Sequence, residues 1–78
     1  MYYVYILSLR NKTYYLGFSS GLKVRIKDHL LGRVSQTEKF RSLQLVYYAA
    51  FRNKKKALDF EKYLKTGSGF AFRNKHLV

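Results

Sequence analysis

The chain has 78 residues, of which 47% are apolar and 18% aromatic, so we expect residues 1–78 to form one domain with a small, aromatic-rich core. The chain has sixteen Lys and Arg but only four Asp and Glu, which gives a formal net charge of +12 and indicates a polyanionic partner. Nucleic acid is the first candidate for this partner, and a membrane surface is the second. The absence of cysteine excludes disulfides and thiolate metal sites, and no apolar run approaches the roughly 20 residues of a membrane-spanning helix.

The first predicted element is a β-hairpin. Residues 2–9 are rich in aromatic and β-branched side chains, and a polar turn over residues 10–13 separates them from a second strand over residues 14–18. The first strand is apolar on both faces, with Tyr5 on one and Val4 on the other, which predicts a central position. It has no basic leader and no evident cleavage site, so we expect a core strand rather than a signal peptide, in a cytoplasmic protein.

The next predicted element is a helix over about residues 21–31. Ser19 and Ser20 are candidate N-caps, because their hydroxyls can accept from the first free N–H groups of a helix. Gly32 fits the position just beyond the helix, where a left-handed residue commonly ends it.

Two polar side chains lie on the inward stripe of this helix. Leu22, Arg25, Ile26 and His29 follow the spacing i, i+3, i+4, i+7, which places them on one face. With Leu22 and Ile26 toward the sheet, Arg25 and His29 lie at the edge of the buried face, one turn apart. The structural alternatives are an arginine that covers the core with its head in water, and a histidine satisfied at the core boundary.

The remaining elements complete a mixed fold. They are a polar, basic loop over residues 32–42, a strand over 43–52, a helix from 54 to about 66 capped by Asn53, a flexible turn at Gly67-Ser68-Gly69 and a short helix over 70–77. The expected fold class is α+β, with a small three-stranded antiparallel sheet flanked by two main helices and a short C-terminal helix.

The second helix carries an acid on its apolar side. Ala57, Phe60, Glu61 and Leu64 again follow the spacing of one helical stripe. Burying an unpaired carboxylate is costly, so Glu61 needs a partner. Arg25 or a divalent cation could be that partner, and a purely structural ion pair explains the residue equally well.

Three lysines, Lys54-Lys55-Lys56, open the second helix. Cations there oppose the helix macrodipole, so phosphate binding would explain them, although a solvated basic face is the alternative. The residues expected to contact a nucleic-acid backbone are Lys23, Lys27, Arg33, Lys39, Arg41, Lys54, Lys55 and Lys56. No sequence-reading module is recognisable, so target preference would come from DNA shape, from the 32–42 loop or from a protein partner.

Several short motifs together carry a resemblance to a known family. They are Val4-Tyr5 at the end of the first motif, Tyr15-Leu16-Gly17 as the second, Arg25 ten residues after Tyr15, His29 one turn later, Glu61 within residues 60–65, and the ending Thr66-Gly67-Ser68-Gly69. In this order they resemble the GIY-YIG nuclease superfamily over essentially the whole chain. The resemblance is greatest to its small single-domain branch, which is related to the nuclease domain of the excision-repair machinery. Tyr3 and Leu16 replace the usual Gly and Ile but preserve a strand.

The resemblance implies a DNA endonuclease that uses one divalent metal, Mg²⁺ or Mn²⁺. Glu61 would hold the metal, Arg25 would stabilise the transition state, and His29 would relay a proton or bind a phosphate oxygen. Tyr5 or Tyr15 would activate the attacking water, with Tyr5 preferred. A free phenol has a pKa of about 10, which must fall by about 3 units for the phenol to act as a base at neutral pH.

Three functional hypotheses follow, and the first is a DNA endonuclease connected with DNA repair. The second is a non-catalytic nucleic-acid-binding module that retains the nuclease fold. The third is a small adaptor whose basic surface is incidental. The set of Tyr, Arg, His and Glu favours the first over the second, and the high net charge disfavours the third.

Overall fold

The computed structural model describes residues 1–10, 13–39 and 42–78. The elements in chain order are β1 Tyr2–Ser8, β2 Tyr14–Ser19, α1 Leu22–Leu30, β3 Gln44–Phe51, α2 Lys54–Leu64 and α3 Gly67–Phe72, which continues into a π-helical turn, Arg73–Leu77. The predicted α+β fold is confirmed. Within the described ranges, no helix combines the length and apolar character needed to cross a membrane. Parts of the predicted 10–13 turn and 32–42 loop, at residues 11, 12, 40 and 41, lie outside the described residues.

The three strands form one antiparallel sheet in the order β2-β1-β3, so β1 is central, as its two apolar faces predicted. In the register with β3, Ile6 pairs with Tyr47 whereas Leu7 pairs with Leu45. Val46 is therefore left as the extra residue of a β-bulge, which bends the edge strand locally.

The two main helices cover opposite faces of this sheet. On one face, Val4 packs with Ala57 and Leu64 of α2, and all three side chains are at most 1% exposed. On the other face, Tyr5 belongs to a second cluster against which Ile26 of α1 packs. Because side chains alternate along a strand, consecutive residues of β1 face different helices. Groups on α1 and α2 can therefore meet only around the edge of the sheet.

The two ends of α1 are formed in different ways. Gly21 is the N-cap and no side chain caps the helix, so the prediction of Ser19 or Ser20 was wrong. Ser19 is still in β2, and its hydroxyl accepts instead from the N–H of Gly21 at 3.0 Å. The C-terminal prediction is confirmed, because Gly32 has φ 73° and its N–H donates to the carbonyl of His29 at 3.1 Å. Only glycine adopts that backbone without strain.

The predicted flexible turn at residues 67–69 was also wrong, because these residues form the first turn of α3. Thr66 caps α3, and its hydroxyl accepts from the N–H of Gly69 at 3.2 Å. Gly69 is buried, and a Cβ there would overlap the backbone carbonyl of Tyr63 and lie 2.8 Å from Leu64 Cα. The glycine thus permits close contact between α2 and α3 rather than flexibility.

We expect Gly69→Ala to destabilise the protein by about 1–3 kcal/mol, because the atoms in the way are backbone atoms that cannot rotate aside. Gly67→Ala is the matched control, since nothing lies within 4 Å of a Cβ at Gly67. Alanine there should stabilise α3 by about 0.5–1 kcal/mol. Urea unfolding followed by circular dichroism measures both. Equal effects of the two variants would contradict the close contact.

A buried arginine attaches the C-terminal turn to the sheet. The Arg73 guanidinium is 5.0 Å from the ring centroid of Tyr14 and 4.2 Å from that of Phe70. It also donates two hydrogen bonds to Asn74 Oδ1, at 3.0 and 3.2 Å. Cation–π contacts and an amide oxygen stabilise a charge that is only 9% exposed.

Candidate active site

Tyr5 lies at the centre of the candidate site, on the central strand and with no exposed surface. It pairs with Gly17 of β2, and its ring lies directly over that glycine. A Cβ on Gly17 would overlap both Cζ and the hydroxyl oxygen of Tyr5. The glycine of the second sequence motif is therefore required by the tyrosine of the first.

Helix α1 brings Arg25 and His29 to the two tyrosines. His29 is 1% exposed, and its Nε2 lies 2.8 Å from the Tyr5 hydroxyl oxygen. The ring centroids of His29 and Tyr15 are 4.9 Å apart. Arg25 interacts with the hydroxyls of both Tyr5 and Tyr15, and these interactions raise the pKa of Arg25. Four of the five predicted catalytic residues therefore form one contiguous group.

Thr37, which sequence reasoning did not single out, completes this group from the loop after α1. Its hydroxyl lies 2.7 Å from His29 Nδ1, and its side chain is fully buried. The hydroxyl also donates to the carbonyl of Val34, at 3.4 Å. The sequence held one signal, because Val34 and Thr37 are uncharged residues three apart in a stretch interpreted as a polar, basic loop.

The burial of Tyr5 makes its hydroxyl harder to ionise, so Tyr5 is poorly suited to act as a general base at neutral pH. Burial raises the pKa of Tyr5 above its ordinary value of 10.0, and the hydrogen bond from Arg25 opposes this. The negative charges of an ionised Tyr15 and of Glu61 raise the pKa of Tyr5 further. The same hydrogen bond raises the pKa of Arg25. Tyr5 is therefore a neutral phenol at pH 7, and the cationic side chain beside it does not by itself ionise it.

His29 is held neutral. Burial lowers the pKa of His29 below its usual 6.5, the charge of Arg25 lowers it further, and Asp28 opposes both. A neutral ring can use one nitrogen as a donor and the other as an acceptor, which suits its two buried hydroxyl neighbours.

The depressed pKa of His29 has a consequence for stability. As the pH falls below about 6.5, His29 gains a proton in the unfolded chain before it does so in the folded chain. The free energy of unfolding therefore decreases as the pH is lowered through this range, and the full contribution of His29 is present above it. We expect urea unfolding between pH 5 and 8 to show this slope, and His29→Gln to reduce it. His76→Gln, at an exposed histidine, is the control. Identical slopes for wild type and His29→Gln would contradict the assignment.

Glu61, the fifth predicted residue, approaches from α2 on the other face of the sheet. Its side chain is 19% exposed and pairs with Lys65 at 3.7 Å. Arg25, the partner considered from the sequence, makes no ion pair with it among the described residues, because α1 and α2 lie on opposite faces. The charge of Glu61 nevertheless acts on the Tyr5 phenol, as the weakest of the influences on its pKa.

The donor groups fit a weakly held, hard divalent cation. Across residues 1–10, 13–39 and 42–78, no three His, Cys, Asp or Glu side chains cluster, so these residues offer no closed protein cage for a metal. Mg²⁺ typically takes one or two carboxylates and completes its shell with water and substrate phosphate. The Glu61 carboxylate, held only by one long ion pair, provides a suitable single ligand.

The predicted nucleic-acid contacts lie on the surface. The exposed members are Lys23, Lys27, Arg33, Lys39, Lys54, Lys55 and Lys56, while Arg41 lies outside the described residues. Arg33 pairs with Asp28 at 3.4 Å and Lys55 pairs with Asp59 at 3.9 Å. Exposed pairs of this kind contribute little to stability, so these charges remain available to a polyanion.

Comparisons with known proteins identify the family. A family model described as the GIY-YIG catalytic domain matches residues 1–75. The chain is 38% identical over 66 residues to the UPF0213 protein CPE1444 of Clostridium perfringens, covering 83% of this chain and 71% of that protein. A UPF0213 protein of Pediococcus acidilactici is 33% identical over 70 residues, covering 86% of this chain and 71% of that one.

A solved structure is similar as well. The solution NMR structure of the UPF0213 protein BH0048 from Bacillus halodurans superposes with a TM-score of 0.60 at 28% sequence identity. The match covers 96% of this chain and 84% of that one.

Proposed function

Because the chain belongs to the GIY-YIG catalytic-domain family, we propose that it is a divalent-metal-dependent endonuclease that hydrolyses phosphodiester bonds in DNA. The observation that carries the proposal is the convergence of Arg25 and His29 on two tyrosine hydroxyls. Groups with perturbed pKa values that are brought together in this way are typical of functional sites.

The net charge of +12 supports a DNA substrate. Exposed lysines on α1 and at the start of α2 place positive charge on the helices that carry the candidate catalytic residues. Such contacts bind the backbone regardless of sequence, so affinity should fall steeply as salt rises.

Arg25 is the group we assign to the transition state. Its guanidinium presents a planar set of donors that suits two oxygens of a phosphate, and the phenols of Tyr5 and Tyr15 hold part of that set in place. Since the donors are already oriented, little reorganisation is needed when charge develops on the phosphoryl oxygens.

The two tyrosines differ in their access to water. Tyr5 has no exposed surface, whereas Tyr15 is partly exposed. A residue that orients the attacking water must touch it, so we assign that contact to Tyr15. Tyr5, preferred for this role from the sequence, instead contacts the buried His29 and interacts with Arg25.

Glu61 would bind the metal, and a bound Mg²⁺ or Mn²⁺ would supply Lewis-acid stabilisation of the phosphate. The carboxylate is partly exposed on α2 and is held by Lys65 through one ion pair. A cation can therefore displace Lys65 at little cost, because such pairs are weak.

Nicking of supercoiled plasmid in Mg²⁺ or Mn²⁺, with EDTA as the blank, tests this function. We expect Arg25→Ala to lose about 10²–10³-fold in rate, the effect of removing one oriented transition-state donor. Arg10→Ala is the matched control, because it removes the same charge from an exposed position outside the candidate site. Equal nicking by the wild type, Arg25→Ala and Arg10→Ala would indicate a contaminating nuclease. DNA binding without metal-dependent nicking would support the non-catalytic module.

A further inference from the structure

A continuous series of buried polar contacts runs from β1 through α1 to the following loop. The Tyr5 hydroxyl oxygen lies 2.8 Å from His29 Nε2, and the partly exposed Arg25 acts on the same phenol from α1. His29 Nδ1 lies 2.7 Å from Thr37 Oγ1, and that hydroxyl lies 3.4 Å from the carbonyl oxygen of Val34. No buried side-chain nitrogen or oxygen among the described residues lacks a partner.

The two ends of this series determine the direction of every hydrogen bond in it. A guanidinium can only donate, and a backbone carbonyl can only accept. Tyr5 must therefore accept from Arg25 and direct its single proton to His29 Nε2. Thr37 must donate to Val34 and accept from His29 Nδ1–H. A neutral histidine satisfies both requirements only as the Nδ1–H tautomer.

The opposite tautomer is disfavoured on the same grounds. If His29 donated from Nε2, the Tyr5 proton would have to find another acceptor inside the protein. Tyr5 is fully buried, and its hydroxyl has no other acceptor among the described residues. A buried donor without a partner costs about 1–3 kcal/mol, enough to decide between tautomers.

We propose that Thr37 is a positioning residue that holds His29 in the Nδ1–H tautomer and so keeps the Tyr5 oxygen available as an acceptor for Arg25. Thr37 acts through two intervening side chains and touches neither substrate nor metal. The consequence for cleavage rests on the proposed nuclease function, whereas the tautomer itself is a property of the DNA-free protein.

Nitrogen-15 NMR of the imidazole rings at pH 7.5 tests the tautomer without any DNA. We expect His29 to show a protonated Nδ1 and an unprotonated Nε2, with exposed His76 as an internal reference. Thr37→Val removes the hydroxyl and keeps the shape, so Nδ1–H loses its acceptor and the preference for this tautomer should weaken, while Tyr5 still donates to Nε2. Thr37→Ser keeps the hydroxyl and should preserve it. A protonated Nε2 in the wild type, or an unchanged His29 in Thr37→Val, would overturn the proposal.

The same variants have a kinetic signature if the wild type cleaves DNA. Thr37→Val should lower kcat about tenfold with little change in KM, since Arg25 loses orientation rather than contact with DNA. Thr37→Ser should restore the rate. A full rate in Thr37→Val would contradict the positioning role. If the wild type does not cleave, the tautomer measurement still decides the proposal, and if Thr37→Val fails to fold, the wild-type tautomer decides it.

Discussion

Glu61→Gln is expected to abolish Mg²⁺-dependent nicking while leaving the protein folded. If the carboxylate is the ligand through which the metal joins the site, its loss removes several kcal/mol of transition-state stabilisation, or about 10³-fold in rate. Stability should change by less than about 0.5 kcal/mol, because the carboxylate makes one long ion pair, 3.7 Å from Lys65. Plasmid nicking and urea unfolding of the same preparation measure both quantities.

Asp59→Asn is the matched control for this prediction. Asp59 lies on the same helix, its side chain is 64% exposed, and it makes a comparable i,i+4 pair with Lys55. Both substitutions remove one negative charge from α2, so a general effect of charge on DNA affinity would appear in both. We expect full nicking by Asp59→Asn. Substantial activity in Glu61→Gln would exclude Glu61 as an essential metal ligand.

The second large effect is expected for Gly17→Ala, which should both destabilise the protein and eliminate nicking. The new methyl group would overlap Tyr5 and lie 2.7 Å from its Cε1 atom, on a ring with no free space to enter. Overpacking of this kind costs about 1–3 kcal/mol. The displaced ring would also carry its hydroxyl away from His29 and Arg25.

A double-mutant cycle separates this clash from a general cost of alanine in β2. Tyr5→Leu removes the outer ring atoms, so adding Gly17→Ala to it should cost far less than in the wild type. Gly67→Ala, where there is open space, controls for glycine replacement itself. Additive costs in the cycle would show that Gly17 and Tyr5 do not conflict, and the close packing would then be wrong.

Much of the site could be predicted from the sequence because its residues lie on regular elements. Arg25 and His29 share a face of α1 through helical spacing, and Glu61 lies on the inward stripe of α2 for the same reason. Tyr5 and Tyr15 were singled out among the eight tyrosines by their place in the two motifs that carry the family resemblance. Each of these inferences depends on neighbours within a few residues.

The errors fell where a contact joins distant parts of the chain. The 32–42 segment was interpreted only as a polar, basic loop, yet Thr37 within it is fully buried against His29. Gly67 and Gly69 were interpreted as a turn, yet Thr66 caps a helix there and Gly69 contacts the end of α2. In both cases composition did not reveal packing against another element, and that packing determined the outcome.

The sequence by itself therefore determined the strands, the helices and the face of each element on which the reactive side chains lie, since these follow from local periodicity. Only the tertiary structure decided that the Tyr5 ring covers Gly17 and that Thr37 meets His29. Those contacts depend on strand register and on the path of a loop, which are set by packing across the whole chain and leave no short-range pattern.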